Sequence, residues 1–257
     1  MNPPRLAGAA AAAAAVVVAL LATACGGSDP RAEPAPPPAL SERCPDGGEG
    51  RTFWFRASDG TRLSGAVLGE GRVGLVLAHG YPSDICEWAG YAPVFARAGF
   101  RVLMFDFRGF GRSARGRTGD FIADIRGAAT ELRRRGAERI VLIGSSFGGT
   151  AVLSAAATIV PAPTAVVDIS GPLDLSGRVS SFSPADEVAP KIRSPVLLMW
   201  GRADRRMPPD AGRAFLRTVS NRDTSVATFP GAWHATSLLW GVPAAQRALL
   251  AFLRRVS

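Results

Sequence analysis

Short runs of apolar residues alternate with longer amphipathic stretches from Arg51 to the end of the chain. Six of the short runs are apolar at nearly every position, which is typical of parallel strands covered on both faces. They lie at residues 73–78, 101–105, 140–143, 165–169, 196–200 and 225–229. Before them, two shorter runs flank the turn Ser58-Asp59-Gly60 and predict an antiparallel hairpin over residues 52–68.

The stretches between the predicted strands have the spacing of helices. In residues 121–134, apolar side chains such as Phe121 and Leu132 share one helical face, and charged side chains occupy the opposite face. Residues 208–219 and 238–253 show the same pattern. The alternation predicts an α/β protein with a mostly parallel, doubly wound sheet of about eight strands after an antiparallel hairpin. In such sheets, ligands bind at the carboxyl ends of the strands.

Three segments are predicted along the chain: a signal peptide at residues 1–24, a Pro/Ala-rich tether at residues 25–42, and one domain at residues 43–257. The tether contains Pro-Arg-Ala-Glu-Pro-Ala-Pro-Pro-Pro-Ala at positions 30–39, which favours a stiff, solvated, polyproline-like conformation. About 215 residues suit one α/β domain with a large core and are too few for two.

Composition narrows the candidate functions. The formal net charge is +9, and Lys191 is the only lysine. The arginines are scattered, and the run Arg133-Arg134-Arg135 falls at a predicted helix end, where cations complement the dipole. A solvated basic surface is therefore favoured over nucleic-acid binding, and attraction to an anionic cell envelope is an alternative.

Two histidines in separate turns and dispersed cysteines give no metal-ligand spacing, and no Walker or dinucleotide motif is present. Neither a metal nor a cofactor is expected.

The amino terminus resembles a bacterial export signal. Arg5 precedes an uncharged segment at residues 6–24, which is long enough to span a bilayer as a helix. The segment Leu21-Ala22-Thr23-Ala24-Cys25-Gly26-Gly27-Ser28 is similar to the lipobox of bacterial lipoproteins, whose cysteine is acylated and becomes the first residue. The resemblance implies a cell-envelope lipoprotein held to the membrane through Cys25. An uncleaved anchor helix and plain secretion are the alternatives, and all three place the domain outside the cytoplasm.

If Cys25 carries lipid, Cys44 and Cys86 remain as an even pair in an oxidising compartment. We therefore predict a disulfide between these two cysteines. It would close a loop of about forty residues and contribute a few kcal/mol by restricting the unfolded chain. Two unrelated buried thiols are the alternative.

The most informative segment is residues 140–149, Ile-Val-Leu-Ile-Gly-Ser-Ser-Phe-Gly-Gly. A predicted buried strand enters a G-x-S-x-G pattern and continues as a helical stretch rich in small residues, which is the context that gives this pattern meaning. The sharp turn strains the central Ser146 and presents its hydroxyl at a helix amino terminus, where negative charge is favoured. Ser146 is therefore the candidate nucleophile, because Ser145 does not fit the glycine spacing. Tight strand–helix packing without catalysis is the alternative.

An ordered set of motifs over residues 50–256 resembles the α/β-hydrolase superfamily. The matching pieces are the His79-Gly80 turn, Asp106-Phe107-Arg108-Gly109-Phe110-Gly111-Arg112-Ser113, the turn around Ser146, Gly201-Arg202-Ala203-Asp204, and His234. The resemblance implies that His79 is structural and shapes the oxyanion loop, whereas His234 is the general base.

The same resemblance implies that Asp204 is the acid that orients His234. Asp174 is the alternative acid, and Asp168 is less suited because it lies inside a predicted strand. Asp106 and Arg108 are expected to form a structural polar pair that organises the loop that follows them, with substrate contact as the alternative.

The order Ser146, Asp204, His234 is the order expected for this fold. For the oxyanion hole we nominate the backbone N–H groups of Tyr81 and Phe147, since one such donor contributes about 2.7–4 kcal/mol in the transition state. The predicted reaction is acyl transfer from a small-molecule substrate through an acyl-enzyme. A carboxylic ester is the first choice of substrate. A serine nucleophile disfavours epoxide-hydrolase and dehalogenase chemistry, for which the similar enzymes use aspartate, and dienelactone-hydrolase chemistry, for which they use cysteine.

Two alternative functions remain open at this point. One is a peptidase or amidase that resembles the prolyl oligopeptidase clade, and the other is an envelope-binding lipoprotein without catalysis. Only residues 170–194 separate the strands between which many α/β-hydrolases insert a cap, so we expect little or no cap and an open site. We also expect the protein to be a monomer. Aromatic residues that are candidates for the site, or for ordinary core positions, are Tyr81, Phe107, Phe147, Trp233 and Trp240.

Overall fold

A computed structural model describes residues 35–45, 50–207 and 210–257, of which Pro36–Ser257 form one compact unit. The predicted signal peptide at 1–24, Cys25 and the tether as far as residue 34 lie outside the described residues. In the described part of the chain, every helix is too short or too polar to cross a bilayer.

The compact unit begins earlier than the predicted boundary at residue 43. Leu40 in helix α1 (Leu40–Arg43) is fully buried, and the Thr52 hydroxyl donates a hydrogen bond of 2.8 Å to the carbonyl of Pro37. The last part of the predicted tether therefore packs against the domain, because its single leucine is buried in the core.

Eight strands form one sheet in the order β1-β2-β4-β3-β5-β6-β7-β8. Strand β2 pairs antiparallel with β1 and β4, and the remaining neighbours pair in parallel. The predicted fold class is confirmed. The strands are β1 (Arg51–Arg56), β2 (Arg62–Leu68), β3 (Val73–Ala78), β4 (Arg101–Phe105), β5 (Arg139–Ser145), β6 (Ala165–Ile169), β7 (Val196–Gly201) and β8 (Ser225–Phe229).

Helices cover both faces of the sheet, which explains why the parallel strands are apolar on both sides. Leu75 and Leu77 of β3 belong to the core on one face, and Val76 belongs to the core on the other. The further α-helices are α2 (Ala92–Arg97), α3 (Phe121–Arg134), α4 (Phe147–Ala156), α5 (Ala185–Val188), α6 (Ala211–Thr218), α7 (Ser237–Gly241) and α8 (Pro243–Val256), and short 3₁₀ helices lie at Ile85–Trp88 and Ala189–Lys191.

The helical stretch predicted at residues 238–253 is two helices, α7 and α8. Val242 between them is extended, with φ −131° and ψ 93°. The residue before a proline is disfavoured in helical conformation, and Pro243 has no N–H to continue the ladder of α7. Pro243 instead begins α8, where a missing N–H costs nothing.

Asp106 and Arg108 do not pair with each other as expected. The buried Asp106 carboxylate accepts hydrogen bonds from Arg43 at 2.9 Å and from the backbone N–H of Arg112, so it does organise the following loop. Arg108 binds Asp124 at 2.7 Å and Asp59 at 2.8 Å. Its guanidinium lowers the pKa of Asp59 to about 2. The expected pair is wrong because both residues lie after β4 ends at Phe105, and each side chain binds residues from other parts of the chain.

Candidate active site

The carboxyl ends of the parallel strands meet at one edge of the sheet. Ala78 at the end of β3 lies between Phe105 of β4 and Gly144 of β5, and Gly144 in turn pairs with Asp168 of β6. Residues that follow these strands therefore emerge side by side, which is where ligands bind in open α/β sheets.

Ser146 lies at this edge, between β5 and α4, with a positive φ of 49° and ψ of −119°. This is a strained conformation for a residue with a side chain, and the surrounding structure holds it. The N–H of Ser146 donates to the carbonyl of Ile169 at 2.8 Å. Gly144 and Gly148 pass so close together that a Cβ on Gly144 would collide with the carbonyl of Gly148. The glycine spacing of the sequence pattern follows from this crossing.

Three side chains predicted from distant parts of the chain form one hydrogen-bonded row. Nε2 of His234 lies 2.9 Å from Oγ of Ser146, and Nδ1 of His234 lies 2.6 Å from Oδ2 of Asp204. An ionised carboxylate only accepts, so Nδ1 carries the proton and Nε2 presents its lone pair to the serine hydroxyl. This is the tautomer that a general base needs.

Backbone contacts fix the acid and the base. Asp204 is 5% exposed, and its second oxygen accepts the N–H of Arg206 at 3.1 Å. The N–H of His234 donates to Ser237 Oγ at 3.2 Å, and the serine hydroxyl donates back to the carbonyl of His234. The imidazole is thereby held between the end of β8 and the start of α7, partly open to solvent.

The two nominated oxyanion donors lie near Ser146, since Phe147 follows it directly and a Cβ on Gly80, the residue before Tyr81, would lie 3.3 Å from its Cβ. Phe147 is the first residue of α4, so its N–H has no partner within the helix. Among the described residues, the N–H groups of Tyr81 and Phe147 donate no hydrogen bond. The carbonyl of Gly80 accepts from Nδ1 of His79 at 2.8 Å, and the N–H of Tyr81 in the same trans peptide therefore points away from that imidazole.

His79 is buried below the loop that carries Tyr81. Its Nε2 accepts the N–H of Phe107 at 3.1 Å, while its Nδ1 donates to Gly80. Desolvation lowers the pKa of His79, which favours the neutral imidazole that these two contacts require. Its position and contacts are those of a structural residue.

Neither of the other aspartates contacts His234. Asp174 is exposed, and its carboxylate accepts hydrogen bonds from the N–H and the hydroxyl of Ser176. Asp168 is buried within β6, accepts the N–H of Gly171 at 2.7 Å, and has a pKa raised well above its ordinary value by desolvation. Asp204 alone among these acids reaches the imidazole.

Aromatic side chains form a wall beside Ser146. The ring of Phe147 contacts Phe121 at 4.9 Å and Phe182 at 5.1 Å between centroids, and Tyr81 at 6.4 Å. Phe107 is fully buried and belongs to the core. Tyr81 is 68% exposed, which leaves it at the rim of the site.

Two exposed tryptophans flank the loop that carries His234. Trp233 is 40% exposed, and Trp240 is 63% exposed with its ring 4.4 Å from that of Tyr91. A groove of about 600 Å³ lies between α5 and α6, and Arg206, two residues after Asp204 in the chain, is on its wall. Helix α5 has only four residues, so the segment after β6 forms no cap domain over this edge of the sheet.

One polar residue at this edge was not predicted from the sequence. Glu87 accepts the N–H of Gly80 at 2.7 Å and also the hydroxyl of Ser145. It lies in the short 3₁₀ helix at Ile85–Trp88, in a segment without strand or helix periodicity, and no motif marks it.

Comparison with known proteins agrees with this architecture. A family model described as the alpha/beta hydrolase fold matches residues 74–168, and one described as serine aminopeptidase, S33, matches residues 176–238. The structure of the Pyrococcus furiosus esterase Pf2001 superposes with a TM-score of 0.69 at 22% identity, over 80% of this chain and 92% of that one. Together with the strand order, these matches show an α/β-hydrolase fold and support a hydrolase.

The epoxide hydrolase relatives match little more than a third of this chain and a third or less of their own length. Epoxide hydrolase A of Mycobacterium tuberculosis is 34% identical over 105 residues, which cover 38% of this chain and 32% of that protein. The bifunctional epoxide hydrolase 2 of Sus scrofa is 33% identical over 96 residues, 36% of this chain and only 17% of that protein. A 2-hydroxy-6-oxononadienedioate/2-hydroxy-6-oxononatrienedioate hydrolase of Burkholderia vietnamiensis is 25% identical over 77% of this chain and 93% of its own length.

Proposed function

We propose that this protein is a serine hydrolase that cleaves carboxylic esters through an acyl-enzyme on Ser146. The observation that carries the proposal is the continuous row from Asp204 through His234 to Ser146 at a strained strand–helix turn. The matches to two hydrolase family models and the likeness to the esterase fold support hydrolysis in general. The epoxide hydrolase relatives do not redirect the proposal, because this chain has serine at the position of the nucleophile.

In the first half of the reaction, Ser146 Oγ attacks the ester carbonyl while Nε2 of His234 takes its proton. Asp204 stabilises the resulting imidazolium without becoming protonated. The carbonyl oxygen becomes negative and is stabilised by the N–H groups of Phe147 and Tyr81, which have no other partner among the described residues. His234 then protonates the leaving alcohol, and the acyl group remains on Ser146.

In the second half, the imidazole accepts a proton from water, and the hydroxide equivalent attacks the acyl-enzyme. A second tetrahedral oxyanion forms at the same two N–H groups. Its collapse returns the proton to Ser146 and releases the carboxylic acid. The aromatic wall at Phe147 and Phe182 supports an apolar acyl group, since polar groups would lose hydration there without gaining partners.

The second candidate activity is hydrolysis of aminoacyl amides, which the match of residues 176–238 to a serine aminopeptidase family model favours. The groove between α5 and α6 is lined by Asp174 and Asp186, whose carboxylates suit a cationic amino group, and also by Arg206 and Arg217. Esters and aminoacyl amides with the same acyl group distinguish the two activities by their ratio of kcat/KM.

The proposed location is the cell envelope, with Cys25 acylated. The lipobox-like sequence supports it, and so does the disulfide between Cys44 and Cys86, because such bonds persist in oxidising compartments. Mass analysis of the mature protein tests it. An amino terminus other than an acylated Cys25 would end the lipoprotein proposal and leave the catalytic one intact.

A fluorophosphonate probe tests the catalytic proposal. The full-length protein should be labelled on Ser146, and Ser146→Ala should abolish labelling and ester hydrolysis. Ser220→Ala is the control, because Ser220 is an exposed serine before the amino end of β8, away from the edge that carries Ser146. Equal labelling of the wild type and Ser146→Ala, or none in a folded wild type, would remove the proposal.

A further inference from the structure

Glu87 joins two loops of the active site that are distant in sequence. Its Oε2 accepts the N–H of Gly80 at 2.7 Å, and its Oε1 accepts the hydroxyl of Ser145. Gly80 directly precedes Tyr81, and Ser145 directly precedes Ser146. One carboxylate therefore holds both segments that carry the proposed oxyanion donors and the nucleophile.

The two loops meet closely at this carboxylate. A Cβ built on Gly80 would lie 3.3 Å from Cβ of Ser146 and 3.3 Å from Oε2 of Glu87. The position of the Tyr81 amide relative to Ser146 is thus set at Gly80. On one side of Gly80, His79 orients the carbonyl, and on the other side, Glu87 holds the N–H.

Glu87 itself lies on a firmly held turn. Asp84 accepts the N–H of Cys86 at 2.8 Å, and Asp106 accepts the N–H of Ile85 at 2.9 Å. A disulfide joins Cys86 to Cys44, and Trp88 is fully buried. These contacts restrain the backbone of the turn and keep the Glu87 carboxylate next to the two loops.

The contacts of Glu87 are those of a hydrogen-bond acceptor. Among the described residues, no arginine, lysine or histidine forms an ion pair with it. Its two partners, the N–H of Gly80 and the hydroxyl of Ser145, are donors that directly precede Tyr81 and Ser146 in the chain. A carboxylate placed only for surface solubility would not use each oxygen on a different active-site loop.

We propose that Glu87 is a positioning residue that sets the spacing between the Tyr81 N–H and Ser146, and thereby completes the oxyanion hole. This inference rests on the proposed function. Hydrogen bonds to an oxyanion are effective only when the donors lie about 2.7–3.1 Å from the place where the negative charge develops. A shift of the Gly80 segment would spoil this geometry in the transition state more than it would weaken substrate binding.

Steady-state kinetics on an ester provide the first test. Loss of a whole oxyanion donor lowers kcat by about 100- to 1000-fold, so a displaced donor in Glu87→Ala should lower kcat by roughly 10- to 100-fold, with KM within about threefold of the wild type. Glu87→Gln keeps an oxygen for the Gly80 N–H and should restore most of the activity. Glu138→Ala is the matched control, because Glu138 is an exposed partner of Arg72 at the opposite end of β5.

A second readout separates positioning from a general structural role. The backbone amide of Gly80 should exchange with deuterium at least tenfold faster in Glu87→Ala than in the wild type, while the global melting temperature changes by only a few degrees. Affinity for a boronic acid, which forms a tetrahedral adduct with serine, should fall by the same factor as kcat.

Three results would overturn the inference while the wild type remains active: an unchanged kcat in Glu87→Ala, a rise in KM alone, or unchanged exchange at Gly80. A folded wild type that neither reacts with a fluorophosphonate nor hydrolyses esters would end the proposed function and this inference together. An active wild type with an equally active Glu87→Ala would end this inference alone.

Discussion

Removal of the Cys44–Cys86 disulfide is expected to destabilise the domain strongly. The bond connects the short amino-terminal helix α1 to the 3₁₀ turn after β3, across a sequence separation of 42 residues. Cys44 is 2% exposed and Cys86 is half-buried, so replacement of both by alanine removes the link without adding a buried hydroxyl. Both α1 and the 3₁₀ helix at Ile85–Trp88 then lose the covalent link that holds them together.

The magnitude follows from the length of the closed loop. In the chain-entropy account, a link of this span restricts the unfolded chain by about 13 cal/mol/K, which is about 4 kcal/mol at 25 °C. A domain of this size loses about 2–4 °C of melting temperature per kcal/mol. The double variant should therefore melt about 8–16 °C below the wild type.

Urea unfolding and thermal unfolding measure this loss. The wild type treated with a reductant should match the double alanine variant, and mass analysis should find two fewer hydrogens in the oxidised than in the reduced wild type. A loss below about 1 kcal/mol at an unchanged denaturant slope would refute the reasoning, because the slope reports the surface exposed on unfolding.

Two further substitutions test the roles of the aspartates. Asp204→Asn should lower kcat for an ester by about 10⁴-fold, since an amide that donates to Nδ1 of His234 moves the ring proton to Nε2, whereas the control Asp174→Asn should keep wild-type kcat. Wild-type kcat in Asp204→Asn would contradict the assignment of the acid. Burial raises the pKa of Asp168, so the folded state favours the protonated acid and the wild type loses stability as the pH rises from about 4. Asp168→Asn retains an oxygen for the N–H of Gly171 and does not titrate, so its melting temperature relative to the wild type should rise between pH 4 and pH 7.5. A constant or falling difference would contradict the buried acid.

Much of the fold can be predicted from the sequence, because parallel strands covered on both faces appear as short, nearly continuous apolar runs. Strands such as β3 and β6 are apolar on both faces, and their bounds agree with the predicted runs. The row of Asp204, His234 and Ser146 can be anticipated because each residue lies in the loop or turn that follows a parallel strand, and parallel strands end at one edge. The end of α7 before Pro243 can also be predicted from the sequence, because the residue before a proline disfavours helical conformation.

Contacts that depend on tertiary structure could not be predicted. Arg43 reaches Asp106 across 63 residues, and nothing in either local sequence identifies the other. Glu87 lies in an irregular segment, so its two partners become visible only after the loops are folded together. Arg108 was assigned to the wrong carboxylate because sequence proximity suggested Asp106, although neighbouring side chains after a strand diverge.

Mass analysis of a trapped acyl-enzyme is the most direct test of the central claim. The full-length protein is mixed with an activated ester, quenched in acid within the first turnover, and digested. After cleavage with trypsin, the account predicts one added acyl group on the peptide 140–178, located on Ser146, and none in Ser146→Ala. An acyl group on a different residue, or ester turnover that persists in Ser146→Ala, would contradict the account.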